Sequence, residues 1–443
     1  MRLAPFTSGS AKYVLLQSNL NSDGRSANIL SQCSARRQLR LHAPRQSISS
    51  DETRLRSLFL HTVRIVSGED DWYTLLVPRI GTKLELDEAV QAVVKVYARP
   101  DPVLPPGLAH YHSSLRTLQA ACSRGTITNA DLMIVGLCYL YEVRCASFGH
   151  APRIQADGMA ALLTSKRPDE WQGEIAHAIF YPYCAPIFRN TVLQGRGASP
   201  FDDGRWVTVA PPVTFSSDSA TRRMRHLGQI LLIRLPRLIT LVRNALAVFP
   251  IDRHAERCLI GLGAELLSVE DPEAEHQATG ALSVLPSIDA CVSACYSHSH
   301  GFRDQRHFEA LVLWWTGRLT LLRLCRRVGE AIGQGTVRDC TPSLIYLEHA
   351  TKELCEHLLK SSDYTVHLRP LSRWPYVLAS QTLYGALGEL DDGIDPSRCT
   401  LLRTGLVQWY SWFLKELHMP PAGETALAGM SEILNGGRLP AVL

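Results

Sequence analysis

The chain has 443 residues, is 46% hydrophobic and 20% charged, and carries a formal net charge of +4. That composition excludes a chain disordered throughout, and so small a charge excludes a global field that would hold the protein on a polyanion. The twelve cysteines are scattered, several inside apolar runs, without the paired rhythm of a small secreted scaffold, which favours a reduced intracellular compartment.

Residues 1–50 are rich in Ser, Asn and Arg with few apolar pairs, and they read as a disordered basic arm. They contain no apolar run of the length a secretory signal needs. Arg36, Arg37, Arg40 and Arg45 could meet DNA phosphates, but four arginines give only weak, salt-sensitive attachment, and a solvated arm is the favoured reading. From Asp51 the pattern changes. Leu55, Leu58, Phe59, Val63 and Ile65 follow it as the apolar face of a capped amphipathic helix. Another apolar segment covers Tyr73 to Arg79, and a further helix is expected over Leu84 to Tyr97, ended by the proline-rich stretch PDPVLPPG.

Between Leu108 and Trp206 the order of elements is most informative. Leu115, Leu118, Ala121 and Cys122 recur at three-and-four spacing, as one helical face does. The following DLMIVGLCYLYEV is apolar nearly all round and predicts a central, buried helix. A small-residue helix with Gly158, Ala161, Leu162 and Leu163 comes next, and the stretch closes on SPFDDGRW. In that turn Asp203 is expected to accept backbone amides, with Phe201 and Trp206 buried.

This ordered string resembles the middle homology region of fungal transcription factors of the binuclear zinc-cluster class. The matching positions are Tyr111, Leu115 and Leu118, then Tyr141 and Glu142, then Gly158, Ala161, Leu162 and Leu163, then Phe201, Asp203 and Trp206. Pro152 and Gln155 stand where the family has its Trp-x-x-His, so this copy departs from the pattern there. LSRWPYVLASQTLYGALGEL, from Leu371, also looks like the family's later Trp-Pro and apolar-helix element.

After Trp206 the turn-rich VAPPVTFSSDSATRR suggests a sub-boundary near residues 207–222 within one helical body over residues 51–443. The apolar run from His226 to Pro250 contains Arg234, Arg237 and Arg243, a charge density that opposes a membrane span, and it reads as a core helix pair broken or bent near Pro236. Long helices are expected over residues 222–248, 252–269, 278–299, 303–334, 342–361, 375–390 and 399–418. With no alternating β-branched run and no fixed-period repeat, the fold class is all-α, a large irregular multi-helix array.

Three local patterns invite chemistry. Asp391, Asp392 and Asp395 spell the aspartate-rich pattern of magnesium-dependent terpenoid enzymes, but Gly393 and Pro396 favour a solvated turn. Cys291, Cys295, His298 and His300 are all able to ligate zinc, yet they form one local segment, whereas structural zinc sites pair ligands from two elements. His110 and His112 flank Tyr111 at a helix start and read as surface or interface residues. Neither a nucleophile elbow, a phosphate loop, a dinucleotide fingerprint nor a His-Glu-x-x-His is present, so no catalytic residue, metal or cofactor is assigned.

Residues 1–110 contain one cysteine, Cys33, and no Cys-x-x-Cys pair, so this sequence does not supply the six thiolates of the family's two-zinc DNA reader. The resemblance therefore implies a nuclear, non-enzymatic regulator of a fungal pathway, such as a secondary-metabolite gene cluster, that acts through its helical body. Its implied partners are other transcription factors or co-regulators, as a homo- or heterodimer, with weak or no direct DNA binding and no membrane. Two alternatives stand beside it: a magnesium-dependent helical enzyme using residues 391–395, and a scaffold that does not bind DNA.

Overall fold

The computed structural model describes residues 48–66, 71–98, 105–145, 151–171, 173–208, 218–248, 251–332, 343–390, 395–417 and 423–439. The fold is all-α: apart from two four-residue strands, the regular elements among the described residues are helices. They pack as two units, and the division falls between Tyr183 and Cys184, inside a single helix. The sub-boundary expected near 207–222 falls largely outside the described residues, at 209–217, as does the arm with Arg36, Arg37, Arg40 and Arg45.

The first unit contains α1 (Ile48–Val66), α2 (Asp71–Leu76), α3 (Leu84–Ala98), α4 (Leu108–Arg124), α5 (Asn129–Cys145), α6 (Ala151–Thr164) and the start of α7 (Ile175–Leu193). Helix α5 is its centre and packs on α3, α4 and α6. An apolar surface on every side suits a helix with neighbours on every side: all its residues from Asp131 to Val143 are buried except Tyr139. Gly136 gives room for the indole of Trp72, and the Tyr183 hydroxyl donates to the Gly136 carbonyl at 2.9 Å. Gly107 (φ 85°) and Gly125 (φ 69°) bracket α4 in left-handed conformations that side chains resist.

The second unit continues with α8 (Ser219–Ala247), α9 (Arg253–Leu267), α10 (Pro272–Gly280), β1 (Ser283–Pro286), α11 (Ala290–Ser293), β2 (His298–Gly301), α12 (Gln305–Ile332), α13 (Leu344–Lys360), α14 (Trp374–Glu389), α15 (Pro396–Glu416) and α16 (Glu424–Leu434). Helix α12 is the hub, packed by α8, α9, α13 and α14. Its closest approach to α8 relies on missing side chains: a Cβ on Gly228 would sit 3.0 Å from the Trp314 backbone nitrogen, and one on Gly317 would sit 3.0 Å from Leu231. The long helix expected over 222–248 forms as α8, which runs as one helix through buried Pro236 rather than as a broken pair. An interior proline costs a helix ~3 kcal/mol, which packing along α12 offsets.

The helix expected over 278–299 does not form. Helix α10 ends at Gly280, and β1 and β2 pair antiparallel, Val284 opposite His300, with the single turn α11 between them. Asp363, distant in sequence, decides this. Its carboxylate accepts hydrogen bonds from the Ser287 hydroxyl (2.9 Å), the Ile288 and Asp289 amides (2.8 and 2.9 Å) and the Ser299 hydroxyl (2.5 Å). Those two amides would otherwise enter a helical ladder, so a buried acceptor outweighs local helix propensity.

Candidate functional site

In the first unit the chain gathers several of the residues that carry the family resemblance into one buried cluster. Tyr111 projects from α4, and Tyr141 and Glu142 project from the last turns of α5. The two tyrosine rings stack at 4.7 Å and 15°. The Tyr111 hydroxyl donates to Glu142 Oε1, and Gln155 Nε2 from α6 donates to the same oxygen at 3.0 Å. Glu142 is 2% exposed and Gln155 fully buried. Among the described residues Glu142 Oε2 and Gln155 Oε1 have no hydrogen-bond partner.

Burial pushes the Glu142 carboxyl up to about 7, against the opposing donors Tyr111 and Gln155. The same burial, with the carboxylate alongside, pushes the Tyr111 hydroxyl well above its ordinary range, so it remains a donor. The carboxyl can therefore exchange a proton near neutrality within a largely apolar core. Protonation would give Oε2 a hydrogen to donate, and Gln155 Oε1 is an acceptor without a partner in the same cluster. Chemically the cluster can store one proton and couple α4, α5 and α6.

Gln155, noted in sequence only as a departure from the family pattern, is thus the fourth member of the cluster. No sequence signal marks it, because it lies 13 positions beyond Glu142 on a different helix. Of the other residues that carry the sequence resemblance, Gly158 lies on α6 with open space where a Cβ would go, while Leu162 and Leu163 are buried. In the second unit Phe201 and Trp206 are 1% and 2% exposed and meet edge-to-face at 5.9 Å. Asp203 accepts the Arg205 amide at 3.1 Å and also pairs with its guanidinium at 3.3 Å. The turn is therefore anchored by aromatic burial and an Asp-capped backbone.

The four zinc-capable residues of the sequence separate. Cys291 lies against Gly405, and Cys295 presents its carbonyl to Arg398 at 2.6 Å. His298 and His300, two apart on β2, instead face α13. His298 Nε2 is 3.0 Å from Lys360 Nζ, and His300 Nε2 is 3.0 Å from His357 Nδ1. His357 stacks on Trp315 at 4.7 Å and 15°. Burial, then neighbouring His357 and Lys360, pushes His300 down to about 3, and burial lowers His357, so this pair stays neutral at neutral pH. Among the described residues no group of three His, Cys, Asp or Glu side chains could hold a metal.

Asp395 is exposed and caps α15, accepting the Ser397 amide at 3.0 Å, while residues 391–394 lie outside the described residues. His110 is half-buried, held between Glu88 (2.7 Å) and Lys95 (2.5 Å), and burial together with Arg116 lowers His112. Among the described residues no helix is long and apolar enough to cross a membrane. No protein family, curated protein or solved structure matches the chain.

Proposed function

We propose that the chain is part of a nuclear transcriptional regulator of a fungal pathway and acts by binding a partner or effector through its helical body. One observation carries this reading: Tyr111, Tyr141 and Glu142, which the resemblance picks out in separate sequence blocks, meet in one buried polar cluster. A half-satisfied polar cluster between three helices is a two-state element, because its hydrogen bonds can be completed or broken by a small rearrangement. A partner that prefers one arrangement shifts the population toward it. Exposed Asp395 at a helix start supports the same reading over magnesium chemistry, which needs the carboxylates to line a hollow.

The deciding experiment fuses the full chain to an unrelated sequence-specific DNA reader and measures a reporter in a fungal host. The tethered chain should change reporter output, and the untethered chain should be released from DNA by physiological salt. An unchanged reporter with the fusion present in the nucleus would overturn the reading.

A further inference from the structure

The first unit contains a cavity of about 400 Å³ that none of the preceding chemistry uses. Its floor is Leu86 and Trp171, both almost fully buried, and half-buried Ile127 and Ala130 form an apolar wall. Around it stand three cationic side chains, Arg79, Lys83 and Lys166, against one carboxylate, Glu170. That carboxylate is already engaged, accepting the Arg167 amide at 2.7 Å. Among the described residues none of the three cations lies within ion-pair distance of any carboxylate, whereas buried or half-buried arginines such as Arg225, Arg234 and Arg323 each have a carboxylate partner.

Lys166 is held in place. Its ammonium donates to the Ile127 carbonyl at 2.6 Å and rests 4.8 Å from the centre of the Trp171 ring, which is fixed in turn by an indole bond to the Leu163 carbonyl at 3.3 Å. One bond leaves two of its three protons for a ligand. Lys83 and Arg79 sit exposed at the rim; the Arg79 guanidinium donates to the Leu75 carbonyl and has further N–H groups to offer. The start of α5 adjoins the cavity, but Asp131 already takes the Thr128 amide and hydroxyl at 2.7 Å each, so recognition falls to the side chains.

We infer that this cavity binds a small organic anion with two or more charges, of phosphate or carboxylate type, whose hydrocarbon part lies on Leu86, Ile127 and Ala130. The volume is within the range of a metabolite-sized site. A net excess of two positive charges over an apolar floor selects a compact polyanion with some carbon surface; a bare chloride would leave the floor wet and the cations underused. The inference stands independently of the transcriptional reading.

Calorimetric titration of the full chain with inorganic pyrophosphate and, separately, with citrate tests it at fixed ionic strength set by sodium chloride. Saturable binding of either probe is expected, the tighter one identifying phosphate or carboxylate as the preferred group. Arg79→Gln combined with Lys83→Gln should weaken that binding at least tenfold. Arg253→Gln combined with Arg257→Gln, which removes the same charge from the exposed side of α9, should leave it unchanged. Failure of both probes to bind, or equal weakening by both double variants, would overturn the assignment.

Discussion

Replacing Glu142 by Gln removes one proton-binding group from the core while keeping an oxygen to accept from Tyr111 and Gln155. In the folded chain the carboxyl titrates at about 7 against an ordinary 4.5, because burial penalises its charged form. The fold therefore binds this proton more tightly than the unfolded chain does. At about 1.4 kcal/mol per tenfold change in affinity, that difference is worth about 3 kcal/mol. The sign follows from the raised value: the contribution is fully present below pH 4.5 and is lost as pH rises through 7. Glu142→Gln has no such titration. The amide also places an Nε2 where Oε2 has no partner, a cost that does not vary with pH. Urea unfolding of both chains, followed by circular dichroism from pH 4.5 to 8, isolates the effect in their difference. The variant should gain about 3 kcal/mol relative to the wild type across that window. A flat difference would refute the reasoning, since it would mean that the carboxyl titrates alike in folded and unfolded chains.

The buried guanidinium of Arg323, 3% exposed, bonds both oxygens of Glu389 (2.5 and 3.0 Å), the Thr382 carbonyl (3.2 Å) and the Ser431 hydroxyl (3.1 Å). Arg323→Ala should destabilise the second unit by about 3 kcal/mol in the same unfolding assay, because it removes the ion pair from half-exposed Glu389, leaving it only the Asn435 amide, and empties the space. His300 has the opposite pH signature from Glu142. Its proton affinity is lowered on folding, to about 3, so the unfolded chain binds the proton first and stability falls as pH drops below 6.5. His300→Gln should flatten that acid limb of the stability profile.

The all-α class was legible in residue order because helical periodicity is local: three-and-four spacing places Leu115 and Leu118 on one buried face whatever surrounds them. The central position of α5 was legible for the same reason, since a helix apolar on all sides has to be enclosed. What the residues between 278 and 299 do was not legible. Their β pairing depends on Asp363, more than 60 positions away, taking amides that helix propensity would have used. The continuity of α8 through Pro236 likewise depends on α12 lying against it, with Gly228 allowing the approach.

The same division runs through the candidate residues. Tyr111, Tyr141 and Glu142 could be singled out by their order along the chain, but Gln155 joins them only because α6 packs on α5. The aspartate-rich stretch and the Cys/His segment looked like chemistry in one dimension, and the fold uses Asp395 as a cap and turns His298 and His300 toward Lys360 and His357. The cationic cavity had no signature in sequence, since Lys166 lies more than 80 positions beyond Arg79 and Lys83 and only the fold brings them together. Periodicity and capping are set within a few residues and so belong to the sequence by itself. Convergence of charge, and the desolvation that shifts a proton's affinity, depend on distances through space that only the packed helices fix.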